Sequence, residues 1–290
     1  PAVGFPVSLN PYRGCDHGCS YCFARPTHEY LGWSAGLDFE SRIFVKTAGP
    51  ELLRRELDSP RWVPEPLAMS GVTDCYQPVE RRLEITRQCL AVLAEYGNPV
   101  GLITKNHLVT RDIDHLSTLA DRGAAQVNLS ITTLDPGLAK TLEPRASPPS
   151  RRLAAIRELS AAGIPVRVMI SPVIPGLTDH ELPAILEAAV DAGARAASFI
   201  PLRLPGAVAP IFAQWLEEHR PGEREKILDR VRSLRGGRLN DPEFGSRMRG
   251  RGEYAETIRT LFHVAARKHG LDGPLPPLST AAFRRPGFLF

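Results

Sequence analysis

Apolar and polar positions along this chain follow one recurring order. A helical stretch ends at a glycine, two or three residues follow, and a β-branched or apolar run begins. The instances are Gly97-Asn98-Pro99-Val100, Gly123-Ala124-Ala125-Gln126-Val127, Gly163-Ile164-Pro165-Val166 and Gly193-Ala194-Arg195-Ala196. A glycine just past a helix end and a short connection to the next strand are what a repeated strand–helix unit requires. The runs at 67–73, 100–104, 127–133, 166–173 and 196–202 are almost continuously apolar, as strands of a buried parallel sheet are. With a short extended stretch at 5–9, about six strands alternate with helices. Right-handed crossovers curl such a sheet into an open or closed barrel. A flat doubly wound sheet is the rival, but no Gly-x-Gly-x-x-Gly follows any strand. The pattern therefore predicts an α/β fold, an open or closed barrel of about six strand–helix units.

Other elements fit around that repeat. Pro50 opens a helix at 50–57 and Pro60 follows its end. A brief apolar stretch spans 42–46. On a helix predicted over 80–96, Cys89 shares an arc with Ile85, Leu90, Val92 and Leu93, which reads as core. After about residue 206 the alternation stops. Helices are predicted near 209–219, 223–234 and 253–269, then a proline-rich strap ending in Phe288-Leu-Phe290. The chain thus divides into a barrel with an N-terminal cysteine loop, 1–206, and a helical extension with an irregular tail packed on it, 207–290.

Composition narrows the class. At 290 residues, 43% hydrophobic and 23% charged, the chain is long enough for a large core and ordinary for a soluble globular protein. No apolar run approaches the ~18 residues of a membrane helix, so no membrane partner is expected. The first residue is Pro1, which points to a natural start upstream. The net charge of +4 is uneven, with Arg230, Arg232, Arg235, Arg238, Arg247, Arg249 and Arg251 crowded together. Such a stretch suits nucleic acid phosphates, or it is a solvated helix face. Five cysteines, three of them clustered, argue against a disulfide framework and for a reducing, cytoplasmic setting.

The chemistry concentrates in Asn10-Pro-Tyr-Arg-Gly-Cys15-Asp-His-Gly-Cys19-Ser-Tyr-Cys22-Phe23, with spacing Cys-x3-Cys-x2-Cys. Thiolates this close repel one another unless a metal or cluster cation relieves them. Four thiolates would saturate a zinc or iron–sulfur site, whereas three leave one coordination position open. A structural zinc loop with His17 or His28 as fourth ligand is the other reading, and it would make the chain a non-catalytic binding module. In a barrel the active site lies at the C-terminal strand ends. There stand Thr73, Asp74, Cys75, Tyr76, Gln77 and Glu80, then Thr104, Lys105 and Asn106, then Ser130, Thr132, Thr133 and Asp135, then Ser171 and Arg203. So many polar strand ends fit a polar ligand in the barrel mouth, though any one Ser or Thr also serves as a helix cap.

The cysteine spacing, with Tyr21 just before the third cysteine, resembles the cluster loop of radical S-adenosylmethionine enzymes. Further motifs narrow the resemblance: Cys22-Phe-Ala-Arg-Pro-Thr-His28, Leu37-Asp-Phe-Glu40, Thr73-Asp74 with Tyr76-Gln-Pro78 and Glu80, Thr104-Lys105, Leu142-Glu-Pro-Arg145, Ser171-Pro-Val-Ile-Pro175, Arg203-Leu-Pro205 and Arg247-Met-Arg-Gly250. Together they are similar to the bacterial group labelled "DNA repair photolyase", relatives of spore photoproduct lyase. The resemblance implies a partial (β/α)6 barrel and a [4Fe–4S] cluster on Cys15, Cys19 and Cys22, with the amino and carboxylate groups of S-adenosyl-L-methionine on the fourth iron. Reductive cleavage would then give a 5′-deoxyadenosyl radical that abstracts hydrogen from a substrate, in a lyase- or repair-like reaction with DNA or RNA among the candidates. An electron donor such as flavodoxin or ferredoxin is implied as partner. By position, Tyr21 would contact the adenine, Lys105 the methionine carboxylate, and Thr73, Asp74 and Ser130 its amino group or ribose. Asp74 and Lys105 also suit a mutual salt bridge across neighbouring strand ends.

Two departures stand out. Spore photoproduct lyase places a cysteine hydrogen donor three positions before the strand-end aspartate, where this chain has Gly71. Conversely, Cys75 stands where the group usually has proline, which makes it a candidate catalytic hydrogen donor or an inert thiol. With only Cys75 and Cys89 left over, a second [4Fe–4S] cluster is not expected.

Overall fold

The computed structural model describes residue 5, residues 7–243 and residues 246–287; the closing Phe288-Leu-Phe290 lies outside the described residues. The chain begins with β1 (Val7–Leu9) and β2 (Tyr12–Arg13), then α1 (Leu37–Ser41), β3 (Phe44–Val45) and α2 (Gly49–Asp58). β4 (Leu67–Met69), α3 (Glu80–Leu83), α4 (Ile85–Tyr96), β5 (Val100–Thr104), α5 (Ile113–Ala120) and β6 (Ala125–Ser130) follow. Next come α6 (Pro136–Leu142), α7 (Pro149–Ala161), β7 (Val166–Val173), α8 (Leu182–Asp191) and β8 (Ala196–Pro201). Three helices close the order: α9 (Val208–His219), α10 (Arg224–Leu234) and α11 (Glu253–Lys268).

Six strands form one sheet in the order β1-β4-β5-β6-β7-β8, every pair parallel. Val7 pairs with Leu67, Leu67 with Val100, Val100 with Ala125, Val127 with Val166 and Arg167 with Ala196. Spatial order thus follows chain order, as successive right-handed crossovers dictate. β1 and β8 are the two edges of the sheet, so the barrel is partial, as the resemblance implies. Leu67, Val100, Leu102, Val127, Leu129, Val166 and Val168 are buried in a core shared with the inner faces of α4, α5, α7 and α8. Cys89 belongs to that core.

Two boundaries differ from the sequence pattern. β4 ends at Met69 because Ser70 turns the chain with a φ of 75°, so the run to residue 73 becomes a loop that faces the barrel mouth. The helix expected over 80–96 breaks at Glu84, whose φ is 54°. The buried Glu80 carboxylate causes this break to hold: its oxygens accept the N–H groups of Thr86 and Arg87, at 3.0 and 3.4 Å, and so cap α4. The stretch at 42–46 pairs with Tyr12–Arg13 as a small antiparallel ribbon, β2–β3.

The helices after residue 206 join the barrel through apolar contacts. Ala255, Ile258 and Phe262 of α11 enter the barrel core. Val208, Phe212 and Trp215 of α9 form a second cluster with Cys19, Tyr21 and Leu142, behind the cysteine loop. No helix among the described residues is long and apolar enough to cross a membrane.

Candidate active site

The cysteine loop is held in place by its backbone. Gln77 accepts the Asp16 N–H at 2.9 Å and donates to the Gly14 carbonyl at 3.2 Å. The Cys15 N–H donates to Phe39 and the Ser20 N–H to Leu142, at 2.9 and 3.0 Å. Arg25, buried beneath the loop, donates to the carbonyls of Cys19, Ala35 and Gly36 and to Glu40. Arg145 reaches the Asp16 carbonyl and Glu40 from the far side. Arg25, Glu40, Gln77 and Arg145 are thus parts of the site whose roles periodicity could not reveal, although each sits in a motif quoted above.

Gly14 and Gly18 have φ values of 85° and 70°, the left-handed region that suits glycine. A side chain at Gly18 would also overlap the Arg145 guanidinium and the Glu40 carboxylate. Both constraints make the tight wrap of the loop depend on glycine.

Cys15, Cys19 and Cys22 line one cavity of about 370 Å³ at the C-terminal ends of the strands. Ser8, Ser70, Ile103, Ser130, Met169 and Ile200, one from each strand or its end, line the same cavity. Its size lies within the ~300–1,000 Å³ of small-molecule sites. Tyr21, Thr73, Asp74, Lys105 and Ser130 all line it as well. Cys75 does not: it is fully buried within the hydrophobic core, its amide donating to the Ser70 hydroxyl at 2.7 Å. Burial pushes its thiol well above the ordinary range, followed by the nearby Asp74 charge.

Asp74 splices two strand ends. Its Oδ1 accepts the Thr104 hydroxyl at 2.7 Å and the Tyr76 amide at 2.9 Å, and its Oδ2 accepts the Lys105 amide at 2.7 Å. The salt bridge between Asp74 and the Lys105 ammonium is not formed. Lys105 instead donates to the Ser171 carbonyl at 3.0 Å and stands 3.5 Å from Glu143. Its Nζ lies 5.6 Å from the centre of the Tyr21 ring. An ammonium has three N–H donors, so one remains for a ligand in the cavity.

Glu143, which the sequence marks only as part of a motif, organises this wall. Its carboxylate accepts from the Tyr21 hydroxyl, the Thr132 hydroxyl and Arg152. Arg152 in turn donates to the carbonyls of Ser130 and Ser147, at 3.1 and 2.6 Å. Glu143 and Arg152 are both about 1% exposed at the side chain. Burial alone would raise the Glu143 pKa, but the Arg152 and Lys105 charges overrule it and hold the carboxyl well below its ordinary value. Tyr21 is therefore tethered by its hydroxyl, with its ring presented to Lys105.

The histidines considered as a fourth ligand are engaged elsewhere. His17 faces Asp74 through Nδ1 at 3.5 Å and Asn106 through Nε2 at 3.1 Å. The His28 Nε2 lies 3.0 Å from the Arg42 carbonyl, among the rings of Trp33, Phe39 and Phe44. Among the described residues no three His, Cys, Asp or Glu side chains converge as a single-ion site requires. Ser20 Oγ and His28 Nδ1, in and against the cysteine loop, are buried without a hydrogen-bond partner. Cys15, Cys19 and Cys22 are all free thiols on one cavity, and no histidine or carboxylate among the described residues converges on them to complete a four-ligand single-ion site, a donor set that suits a cluster held by three sulfurs. The residues present fit such a group.

The arginine-rich stretch is mostly committed to the fold. Arg235 is buried, donating to the carbonyls of Pro201, Leu202 and Arg247. Arg232 pairs with Asp229 and Arg251 with Glu243, while Arg230 packs over Tyr254. Arg230, Arg232, Arg235 and Arg251 are thus engaged within the chain, while Arg238 and Arg249 are exposed.

Comparison with known proteins agrees with the geometry. The Radical SAM superfamily matches residues 9–189. An uncharacterized protein of Mycobacterium tuberculosis is 36% identical over 287 residues, spanning 97% of this chain and 80% of that relative. An uncharacterized protein of Methanocaldococcus jannaschii is 30% identical over 181 residues, 61% of this chain and 64% of the relative. Among solved structures, a spore photoproduct lyase mutant superposes with a TM-score of 0.67 at 15% identity, covering 93% of this chain and 75% of that one. Spore photoproduct lyase complexed with dinucleoside spore photoproduct gives a TM-score of 0.63 at 15% identity, covering 91% and 73%. At such identity the likeness to these structures is one of fold.

Proposed function

The chain belongs to the radical SAM superfamily, and from that premise we propose that it is an enzyme whose Cys15, Cys19 and Cys22 hold a [4Fe–4S] cluster beside bound S-adenosylmethionine. The observation that carries this reading is the convergence of all three thiols with Tyr21, Thr73, Asp74, Lys105 and Ser130 on one cavity. When bound, cluster and S-adenosylmethionine supply reductive cleavage of the sulfonium and a 5′-deoxyadenosyl radical for hydrogen abstraction.

The chain's own residues position and shield. Lys105 directs its remaining N–H toward a carboxylate in the cavity. Asp74 brings a carboxylate to the cavity wall, where its charge draws an ammonium group. Thr73, whose hydroxyl donates to the Tyr12 carbonyl at 2.9 Å, still accepts, and the Ser130 side chain lines the same cavity. Tyr21 offers a fixed ring face. Ile103, Met169 and Ile200 form an apolar floor that excludes water around these groups. The barrel with its cysteine loop forms the catalytic unit in this reading, and α9 and α10 pack behind that loop. Cys75, walled off in the core, serves packing and not hydrogen donation.

The test is cleavage itself. Anaerobically reconstituted wild-type protein, reduced with dithionite, forms 5′-deoxyadenosine from S-adenosylmethionine, and a Cys19→Ala variant forms none. Equal yields from the two proteins, or none from either, overturn the assignment.

A further inference from the structure

Strand periodicity and register place three polar side chains beneath the cavity. Side chains two apart on a strand share a face, as do residues paired in register on neighbouring strands. Ser130, Met169 and Ile200 line the cavity. Asn128, Arg167 and Ser198 stand two positions before them, on the same faces of β6, β7 and β8. The register agrees: Asn128 pairs with Ile103, another cavity residue, and with Arg167, while Ser198 pairs with Met169. The three therefore face the lumen of the barrel, one storey nearer the N-terminal strand ends.

Each of them keeps bonding capacity that the fold does not use. Asn128 is 3% exposed and donates through Nδ2 to the Leu102 carbonyl at 3.1 Å, but its Oδ1 accepts nothing. The Ser198 Oγ is likewise buried without a partner. Arg167 is half-buried and makes no hydrogen bond or ion pair among the described residues. Burial, with no acid to oppose it, lowers its pKa. Buried polar groups ordinarily find partners, and arginine is rarely buried unpaired. A guanidinium held this way costs stability, which natural proteins tolerate where function needs the charge. β1 and β8 do not pair, so the lumen opens between them, with Ser198 on one edge strand and the exposed Ser8 on the other.

We infer that Asn128, Arg167 and Ser198 form a substrate subsite for a carboxylate with an N–H or O–H donor beside it. This rests on the enzyme reading above and assigns the chemical class of the substrate's anchoring end. The parallel N–H donors of one guanidinium match the two oxygens of a carboxylate. Ile103 and Ala196, the register partners on either side of Asn128 and Arg167, are apolar, so this storey neutralises a single negative charge. The Asn128 Oδ1 only accepts, which calls for a donor next to that carboxylate, and the Ser198 hydroxyl can bond to either group.

The test titrates the reconstituted enzyme, loaded with S-adenosylmethionine, with N-acetylglycine, which carries a carboxylate beside an N–H. Neutral N-acetylglycinamide and inorganic phosphate are titrated separately, and wild type, Arg167→Leu and Arg167→Lys are compared. Wild type should bind N-acetylglycine more tightly than either comparator, and Arg167→Leu should bind it about tenfold or more weakly. Arg167→Lys should recover part of the loss, since charge is kept while the fork is not. Without ligand, Arg167→Leu should melt about 1–3 °C above wild type, because an uncompensated charge has left the lumen. Equal affinity in wild type and Arg167→Leu, absence of binding in both, preference of the wild type for phosphate, or a lower melting temperature in Arg167→Leu overturns the inference. Should the chain carry no cluster, the same titration on the metal-free protein still reads Arg167, so the two failures are told apart.

Discussion

The Oδ2 of Asp74 accepts the main-chain N–H of Lys105 at 2.7 Å, so these two residues meet through backbone and not through opposite charges. The contact fixes the end of β5 against the loop after β4 and leaves the ammonium free to reach across the mouth to Ser171. Asp74→Asn would set an amide N–H₂ against one of the N–H or O–H donors now satisfied. An unpaired buried donor costs about 1–3 kcal/mol. The expected outcome is a lower melting temperature together with S-adenosylmethionine affinity reduced about tenfold, checked by thermal unfolding and ligand titration. Unchanged affinity would confine Asp74 to a loop-shaping role.

The buried pair of Glu143 and Arg152 should outweigh every surface ion pair. Arg152→Met leaves a carboxylate buried without its main partner, a loss of about 3–5 kcal/mol. Removing Arg54 from Glu95, a pair with side chains 42% and 40% exposed, should cost about 0–1 kcal/mol. Chemical denaturation of the two variants gives the comparison directly.

Acid should act through the same pair. The folded-state pKa of Glu143 lies below its unfolded value, because Arg152 and Lys105 overrule the opposing effect of burial. Its contribution is therefore present above the unfolded carboxylate pKa, about 4.3, and is lost as pH falls through the acid range toward the folded value. Wild-type melting temperature should drop more steeply below about pH 4 than that of Glu143→Gln. Parallel pH profiles would show that Glu143 does not carry this charge when folded.

Thiol chemistry separates the five cysteines. Cys75 and Cys89 are fully buried, and burial pushes the Cys89 thiol up to about 12. Iodoacetamide should leave both unmodified in the native, metal-free chain and should label the half-buried Cys22 first. Cys75→Ala should leave 5′-deoxyadenosine formation unchanged while lowering stability by about 1 kcal/mol. Labelling of native Cys75 as fast as that of Cys22 would contradict its burial and restore its candidacy as a donor.

Where the sequence spoke through local rules, it could be read. Parallel strands buried on both faces are apolar throughout, and helix-ending glycines punctuate them, so five of the runs named from sequence hold β4 to β8. The cysteine triad and the strand-end polar residues were legible for the same reason, since spacing along the chain places them. What stayed hidden depends on partners far apart in sequence. Glu80 breaks a helical pattern at Glu84 by capping α4 from the preceding turn, and it receives the Tyr12 hydroxyl from 68 residues away. Glu143 meets Tyr21 across 122 residues. Arg235 reads as one more surface arginine until the fold brings the carbonyls of Pro201 and Leu202 to it.

The central claim is that three thiols hold an iron–sulfur cluster with one iron left for S-adenosylmethionine. Metal analysis combined with low-temperature electron paramagnetic resonance of the anaerobically reconstituted, reduced protein tests it most directly. The account predicts about four irons per chain, a cluster signal that changes shape when S-adenosylmethionine is added, and loss of both in Cys15→Ala, Cys19→Ala and Cys22→Ala. A colourless protein with stoichiometric zinc, or a cluster signal indifferent to S-adenosylmethionine, would contradict it.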